Sequence, residues 1–450
     1  MLRASMALVA LSFLIGTPLA CAQNKQATQQ EASMSDLIPL AKAFVDQLSK
    51  GDFATATQRF DATMQGALPA DKLRETWQAL VGQAGAFQQQ VGTHTATTQG
   101  YDIVFVTCQF ALARIDVKVV FDGKKQIAGL FFLPAQAAQE YSPPPYVKPD
   151  SFTIKEVTVG GDGEWPLPGT LTMPVGKGPF PALVLVQGSG PQDRDETIGP
   201  NKPFRDLAEG LASQGIAVLR YEKRTKVYSA KLASVKNFTV KEETVDDAAA
   251  AARLLAKTPG VDPKRVFVLG HSLGGMVLAR VVKAAPQARG LIVMAGATRP
   301  LDQIVLEQTA YIAGLSGPLS DDDKKKIESL KKDMARLNDP DIAKTPDVVI
   351  QGAPVSYWLD LRRLNPPLEA KSLSQPMLIL QGGKDYQVTG QDFANWKAAL
   401  SGRKDVTFKF YPNLFHLFMP GEKTPADYEK PGHVAKVVVD DIAAWIRAHR

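Results

Sequence analysis

A serine in a glycine-rich turn between a strand and a helix constrains this chain more than any other feature. Residues 270–275 read Gly-His-Ser-Leu-Gly-Gly and fit the pattern G-x-S-x-G. Residues 265–269 have the β-branched and aromatic content of a buried parallel strand, and residues 276–282 have the pattern of a helix. The sequence therefore predicts a sharp turn that lifts the Ser272 hydroxyl above the edge of a sheet.

A serine held in such a turn is an exposed nucleophile. The same turn aims the Leu273 N–H and the start of a helix at the serine, so that an oxyanion formed there meets a donor and a favourable dipole. The alternative is a purely structural turn, because glycine-rich connections from strand to helix occur in many α/β proteins. The strand and helix on either side favour the nucleophile.

Composition and charge give few indications about partners. The chain has 450 residues, of which 45% are hydrophobic and 22% charged, a length sufficient for about two or three domains. The formal net charge of +6 comes from 52 basic and 46 acidic residues that are mixed along the chain. No basic block with interleaved aromatic residues is present, so we do not expect a nucleic-acid partner.

The N-terminus has the pattern of a signal peptide. Residues 1–22 contain one basic residue, Arg3, and an apolar run over residues 6–15. Ala-Cys-Ala at residues 20–22 is an A-x-A cleavage site, which predicts a mature chain that begins at Gln23. The apolar run is shorter than the ~20 residues that a spanning helix needs. We therefore predict an exported protein, periplasmic or secreted, without an integral membrane segment in the mature chain.

The two cysteines bear on lipidation and on redox chemistry. Cys21 leaves open a lipoprotein anchored at that residue, but Pro18 stands where the lipoprotein pattern has leucine. After cleavage at most one thiol remains, so no intrachain disulfide is expected. Cys108 lies in the alternating stretch 101–110 and is predicted to be a buried strand thiol. The five histidines show no paired spacing for zinc, and no metal is expected.

Residues 34–140 are predicted to form a small α+β domain. Helical periodicity is followed by strand patterns, at residues 37–48, 53–60 and 70–81 for the helices and 87–95, 101–111, 113–121 and 127–133 for the strands. The order resembles the small domain of unknown function that precedes the hydrolase domain of many exported bacterial hydrolases, itself similar to the NTF2-like fold. Its lone His94 is interpreted as a surface residue. The proline-rich residues 141–150 are predicted to be a stiff linker.

From residue 151 to residue 450 strands alternate with helices. The predicted strands are residues 152–159, 167–173, 182–186, 216–221, 265–269, 290–294, 377–380 and 406–411. The predicted helices are residues 203–213, 243–256, 275–284, 391–400 and 434–449. Because helices separate the later strands, we predict an α/β domain with a doubly wound, mostly parallel sheet of about eight strands.

This domain resembles the α/β-hydrolase family, which orders its catalytic residues as nucleophile, acid and histidine. Asp385 directly follows the strand at 377–380, and His416 lies in the loop after the last strand. The resemblance therefore implies a triad of Ser272, Asp385 and His416, in which the histidine takes the proton of the serine and the carboxylate orients the imidazole. Taken singly, Asp385 could be a turn aspartate and His416 a buried structural histidine.

The stretch 187–195 follows a strand and begins Gln-Gly-Ser-Gly. In family terms it is the loop that supplies a second oxyanion donor, and carried over by position this donor is the Ser189 N–H, paired with that of Leu273. Gln187 departs from the histidine usual at that place. Phosphate binding is the rival interpretation, but the loop lacks a Walker lysine and G-x-G-x-x-G. The charged residues 193–195 are interpreted as a structural ion-pair cluster.

A long insertion, residues 301–374, separates the later strands and is predicted to be a helical cap. Caps in this family lie over the serine and shape the pocket, which makes Tyr357, Trp358 and Leu361 candidate substrate-binding residues. The alternative is that these three side chains anchor the cap to the sheet.

Together these patterns predict an exported serine hydrolase that acts through an acyl-enzyme without a metal or organic cofactor. The resemblance is to the serine-aminopeptidase-like and dienelactone-hydrolase-like branches, which include esterases and peptidases. We expect a carboxylesterase whose substrate is a small-molecule ester or a short peptide. A serine peptidase and a catalytically silent envelope protein remain the alternatives.

Overall fold

A computed structural model describes residues 26–98, 101–135, 141–232, 235–315, 317–345 and 348–449. The predicted signal peptide and Cys21 lie outside these residues. The chain divides between Glu140 and Tyr141 into two compact units.

The N-terminal unit contains four helices and a meander in its described residues. Its helices are α1 Gln26–Lys50, α2 Phe53–Thr57, α3 Ala62–Ala67 and α4 Ala70–Ala84. Its strands are β1 Phe87–Thr98, β2 Tyr101–Phe110, β3 Arg114–Phe121 and β4 Ile127–Pro134, each antiparallel to the next. This confirms the predicted α+β order. Helix α3 was not predicted, because none of its residues is buried and it therefore has no apolar periodicity.

The core of this unit takes alternate residues of β2 from Val104 onward. Val104, Val106 and Cys108 are buried on β2 and belong to the same apolar cluster as Phe44 of α1 and Trp77 of α4, as the period of two along a strand requires. Burial, together with the charges of nearby carboxylates, raises the pKa of the Cys108 thiol to about 12. Cys108 is thus the buried strand thiol that its sequence context predicts.

The C-terminal unit contains the remaining elements. Its helices are α5 Pro203–Ala212, α6 Arg224–Val227, α7 Ser229–Leu232, α8 Asp246–Ala256, α9 Leu273–Ala284, α10 Leu301–Gly314, α11 Asp321–Ala335, α12 Val355–Arg362, α13 Pro366–Lys371, α14 Gly390–Leu400 and α15 Lys436–Ala448. Its strands are β5 Phe152–Val159, β6 Leu167–Pro174, β7 Phe180–Val186, β8 Ala217–Tyr221, β9 Val261–His271, β10 Gly290–Met294, β11 Val349–Ile350, β12 Ala353–Pro354, β13 Met377–Gly382 and β14 Val406–Tyr411.

Eight of these strands form one sheet within the described part of the unit, in the order β14-β13-β10-β9-β7-β8-β6-β5. Neighbours from β14 to β8 run parallel, whereas β6 pairs antiparallel with β8 and with β5. The predicted mostly parallel α/β sheet of eight strands is therefore confirmed. Strands β10 and β13 are buried along their whole length, because both faces of a parallel sheet are covered by helices.

The proline-rich stretch at the start of this unit is fastened to it. The Tyr141 hydroxyl donates to Asp206 Oδ1 at 2.8 Å, and the Tyr146 hydroxyl donates to the Val434 carbonyl at 2.7 Å. The two tyrosines bind the segment to α5 and to the residues before α15.

The insertion between β10 and β13 is helical, as predicted. It holds α10 to α13 and the short pair β11–β12. Arg362 on α12 binds Asp302 on α10 at 2.6 Å, and Arg280 on α9 binds Asp360 on α12 at 2.8 Å. These ion pairs join the helices of the insertion to each other and to the helix that follows Ser272. In the ranges given above, we find no helix with the length and apolarity needed to cross a bilayer.

Candidate active site

Ser272 occupies a strained turn between β9 and α9. Its φ of +52° and ψ of −116° lie where L-residues are rarely found. The Ser272 N–H donates to the Met294 carbonyl at 2.9 Å, and the Met276 N–H donates to the Ser272 carbonyl at 2.9 Å. The neighbouring strand and the first turn of α9 thus hold the serine in a conformation that it would not adopt by itself.

The glycines of the turn are required by close backbone approach. A Cβ at Gly270 would overlap the Gly274 carbonyl, and a Cβ at Gly274 would overlap the Val186 carbonyl on β7. Strand β9, helix α9 and strand β7 therefore meet with no room for side chains. This is the physical reason for the spacing in G-x-S-x-G.

The structure brings Asp385 and His416 together. His416 Nδ1 lies 2.7 Å from Asp385 Oδ2, and both side chains are buried. Asp385 follows β13 and His416 follows β14, so both lie at the carboxyl ends of neighbouring parallel strands. The other oxygen, Asp385 Oδ1, accepts the N–H groups of Gln387 at 2.8 Å and Val388 at 3.0 Å. These bonds fix the carboxylate in the orientation that binds the imidazole.

The loop that carries His416 packs against the Ser272 turn. The ring centroids of His416 and His271 are 4.6 Å apart, and His271 directly precedes the serine. His271 Nδ1 lies 2.9 Å from Glu196 Oε2, and its Nε2 lies 3.0 Å from the His416 carbonyl oxygen. Both ring nitrogens of His271 therefore face groups other than the Ser272 hydroxyl.

Burial disfavours a charged His271, but its surroundings outweigh that effect. The Glu196 carboxylate, and to a smaller extent the His416 carbonyl and the Asp385 charge, raise the pKa of His271 above its usual value. Glu196 did not stand out in the sequence, because a lone glutamate in a polar loop has no pattern. Its backbone φ of +51° reflects the tight course of that loop.

The loop after β7 lies beside the serine. A methyl group placed on the Gly188 Cα would come within 3.1 Å of Ser272 Cβ. The Gly188 N–H donates to Glu196 Oε1 at 2.6 Å, and Ser189, which carries the predicted second oxyanion donor, is the next residue and is partly exposed. Gln187 points away from the serine, since its side-chain amide donates to the Tyr221 carbonyl. This bond ties the loop to the end of β8 at position 187, where the resemblance leads one to expect histidine.

The charged residues at the end of this loop are paired within the protein. Arg194 binds Glu222 at 2.7 Å and Glu156 at 2.6 Å, and Asp195 binds Arg220 and Lys202. The ion pairs of Arg194 and Asp195 are those of the structural cluster expected from the sequence, whereas Asp193 Oδ1 accepts the backbone N–H groups of Asp195 at 3.1 Å and Thr197 at 2.9 Å.

The three candidate pocket residues of the cap are buried. Tyr357 donates its hydroxyl to Glu243 Oε2 at 2.8 Å, Trp358 donates its indole N–H to the Ile350 carbonyl at 2.8 Å, and Leu361 lies in the main apolar core. These contacts describe the anchoring alternative. A role of these side chains in binding substrate stays a prediction.

The remaining histidines have other partners. His433 Nδ1 lies 3.1 Å from Asp206 Oδ1, and His449 Nδ1 lies 2.7 Å from the Trp445 carbonyl. His94, on β1, is exposed and stacks on Phe105. Among the residues that the structure describes, no three His, Cys, Asp or Glu side chains are grouped in a way that would hold a metal ion.

Comparison with known proteins identifies the family. Residues 202–424 match the family described as "Serine aminopeptidase, S33", and residues 41–130 match a family described as "Protein of unknown function (DUF3887)". Esterase EstD of Thermotoga maritima is 40% identical over 405 residues, which cover 90% of this chain and 93% of that protein. The chain belongs to the serine aminopeptidase S33 family of α/β hydrolases.

This S33-family hydrolase is also similar in fold to solved structures. An esterase of Pyrococcus furiosus has a TM-score of 0.43 and 17% identity, with 68% of this chain and 97% of that chain covered. An acylaminoacyl peptidase of Pyrococcus horikoshii has a TM-score of 0.44 and 15% identity, with 79% of this chain and 50% of that chain covered. The predicted resemblance to α/β hydrolases is confirmed by the family match, and the NTF2-like resemblance of the first unit stays a prediction.

Proposed function

We propose that this S33-family protein is a carboxylesterase in which Ser272 is the nucleophile, His416 the general base and Asp385 the residue that orients the base. The observation that carries the proposal is the buried contact of 2.7 Å between His416 Nδ1 and Asp385 Oδ2, on a loop packed against the strained Ser272 turn. The name of the relative EstD, which matches this chain through both units, supports an ester as the substrate.

The proposed reaction begins with a proton transfer. Asp385 holds a proton on His416 Nδ1 and leaves Nε2 to take the proton of the Ser272 hydroxyl as its oxygen attacks the ester carbonyl. The resulting oxyanion accepts hydrogen bonds from the backbone N–H groups of Leu273 and Ser189. The protonated His416 then gives its proton to the departing alcohol, and an acyl group remains on the serine.

A water molecule completes the cycle. His416 takes a proton from the water, which attacks the acyl carbonyl, and collapse of the second tetrahedral intermediate returns the proton to Ser272 Oγ and releases the acid. The substrate in this proposal is a small ester, and the mechanism needs no group besides those of the chain and water.

The test is covalent labelling followed by a substrate panel. A fluorophosphonate should label the protein, and peptide mapping should find the label on Ser272. The Ser272→Ala variant should take up no label. The control is Ser372→Ala, because the Ser372 hydroxyl donates to the Glu369 carbonyl within its own turn. This variant should be labelled as the wild type is. Absence of label from a folded wild-type protein would support the catalytically silent alternative.

Peptide hydrolysis is the second candidate function, and the family description favours it. p-Nitrophenyl esters of increasing acyl length should be compared with aminoacyl and acylaminoacyl p-nitroanilides. We expect kcat/KM on the preferred ester to exceed that on every anilide. A faster anilide that also requires Ser272 would assign the same residues to a peptidase.

Export is part of the proposal and rests on the pattern in residues 1–22. Expression with the native N-terminus should give a product that begins at Gln23. A lipidated N-terminus at Cys21 would show an anchored protein, and an intact Met1 in a cytoplasmic product would exclude export.

A further inference from the structure

Both backbone groups of Gly188 are held by buried charged side chains. The Gly188 N–H donates to Glu196 Oε1 at 2.6 Å, and the Gly188 carbonyl accepts from Lys223 Nζ at 2.6 Å. Glu196 and Lys223 are each 1% exposed. A loop that needed only to be ordered could use neutral partners, since burying an ammonium group away from water is costly.

Lys223 lies in a buried network that reaches the cap. Its ammonium group is 2.8 Å from Glu243 Oε1, and the other oxygen of Glu243 accepts the Tyr357 hydroxyl at 2.8 Å. The side chain of Glu243 is fully buried. Desolvation of both partners removes much of the stability that such a pair would give. The contribution of the Lys223–Glu243 pair to folding therefore does not explain its presence as well as the place to which it brings the ammonium group.

Lys223 and Glu243 lie on elements that adjoin the loop after β7. Lys223 stands two residues after β8, which neighbours β7 in the sheet. Glu243 lies in a π-helical turn, Lys241–Val245, that leads into α8. π-Helical turns are rare in proteins, and those that occur are often found at functional sites.

The contact of Lys223 bears on Ser189 through the geometry of the peptide bond. The Gly188 carbonyl and the Ser189 N–H belong to one planar peptide unit, and in a trans peptide they point in opposite directions. A cation on the carbonyl fixes the plane of that unit and increases the polarity of its N–H. The Gly188 N–H is occupied by Glu196 and is not available to an oxyanion.

We propose that Lys223 is a positioning residue of the oxyanion hole. Its ammonium group, with Glu243 as counter-ion, orients and polarises the Gly188–Ser189 peptide so that the Ser189 N–H binds the oxyanion formed at Ser272. The inference rests on the proposed function and adds to it a residue that makes no contact with the substrate. Lys223 acts in the transition states and the tetrahedral intermediates, because the charge that the Ser189 N–H stabilises is absent from the bound ester.

The test removes the cation and its counter-ion together. Lys223→Met with Glu243→Gln keeps the volume of both side chains and avoids an unpaired buried carboxylate. The matched control is Arg224→Met with Asp247→Asn, which removes the neighbouring buried ion pair; that pair is bidentate, at 2.9 and 2.5 Å. Rates on p-nitrophenyl butyrate are expressed per serine titrated, so that an unfolded fraction does not count.

The decisive readout is the binding of an alkyl trifluoromethyl ketone, which adds to the serine as a hemiketal that bears an oxyanion. We expect the Lys223 and Glu243 double variant to lose about 10- to 100-fold in kcat, with KM within about threefold. The inhibition constant of the ketone should rise by a similar factor as kcat falls, whereas that of the matching trifluoromethyl alcohol should not change. The control should lose thermal stability without a selective loss of affinity for the ketone.

Two single substitutions of Lys223 test whether its positive charge is what matters. Lys223→Arg retains a cation, and it should bind the ketone more tightly than Lys223→Gln when both are normalised to titrated serine. Equal ketone affinity in these two variants, or ketone affinity in the double variant equal to that of the control, would overturn the role of Lys223. Either result would leave the proposed function intact. The proposed function would fail only if the wild type itself showed no ester hydrolysis that depends on Ser272.

Discussion

Glu196 and His271 form a buried ion pair, with the carboxylate Oε2 2.9 Å from the imidazole Nδ1. Glu196 also accepts the Gly188 N–H, and His271 Nε2 faces the His416 carbonyl at 3.0 Å. Since a carboxylate and a carbonyl are both acceptors, they favour an imidazolium with a proton on each nitrogen. The pair therefore joins the proposed oxyanion loop to the loop of the proposed base.

The first prediction concerns the pH dependence of stability. The pKa of His271 is raised in the folded protein above the ordinary value of 6.5. The protonated form thus stabilises the fold fully below about pH 6.5, and this stabilisation is lost as the pH rises through the folded pKa. The difference in free energy of unfolding between the wild type and His271→Asn should be larger at about pH 5 than at about pH 9 in urea titrations.

The control for this prediction removes the carboxylate. In a Glu196→Gln background the effect of His271→Asn should depend much less on pH, because Glu196 is the main cause that raises the pKa. A pH dependence of equal size in both backgrounds would assign the effect to other groups near the ring, of which Asp385 is the first to test.

The proposed nucleophile and base should act as one unit. Ser272→Ala and His416→Ala should each lower kcat on the order of 10⁴- to 10⁶-fold, because they serve one proton transfer. The variant with both changes should lose about as much as Ser272→Ala alone, as rates on p-nitrophenyl butyrate per mole of folded protein will measure. Losses that multiply would show that the two residues act in separate steps.

Asp385→Asn should separate orientation from folding. The amide cannot hold His416 in the same tautomer, so kcat should fall on the order of 10³- to 10⁴-fold while circular dichroism stays unchanged. Asp405→Asn is the control, because Asp405 is an exposed carboxylate that pairs with Arg403 at 2.5 Å. If Asp385→Asn kept full activity, the acid of the triad would have to be another carboxylate.

Trp358 tests the role of the cap residues. The side chain is 1% exposed, and its indole N–H is bonded inside the protein, so Trp358→Ala should cost about 3–5 kcal/mol of unfolding free energy. We expect activity per folded protein to change by a similar factor on acetate and on longer esters. A selective change of preferred acyl length would instead support the substrate-binding role predicted from the sequence.

The N-terminal unit should be dispensable for chemistry. All proposed catalytic and oxyanion residues lie in the unit that begins at Tyr141, and a chain that starts there keeps the bonds of Tyr141 and Tyr146 to that unit. It should hydrolyse p-nitrophenyl acetate with a kcat within about threefold of the full chain. A folded but inactive fragment would show that residues before Tyr141 complete the site.

Much of the fold was readable because its signals are local. The inner strands β7, β10 and β13 of the eight-stranded sheet are short apolar runs. The turn around Ser272 requires glycine where β9, α9 and β7 meet. Residues with no apolar periodicity were not found, as in α3, whose side chains are not buried. Helix α13 was missed as well, although Asn365 caps it and prolines fill its first turn.

The sequence by itself determined the α/β class, the family, and the candidate positions of Ser272, Asp385 and His416, because each of these lies in the turn or loop that follows a strand. Only the tertiary structure decided that Glu196 and Lys223 hold Gly188 from its two sides, and that Tyr357 binds Glu243. Polar residues in loops carry no periodicity from which such contacts could be predicted. Their partners are distant in sequence, and burial converts an ordinary surface charge into a group that must be paired.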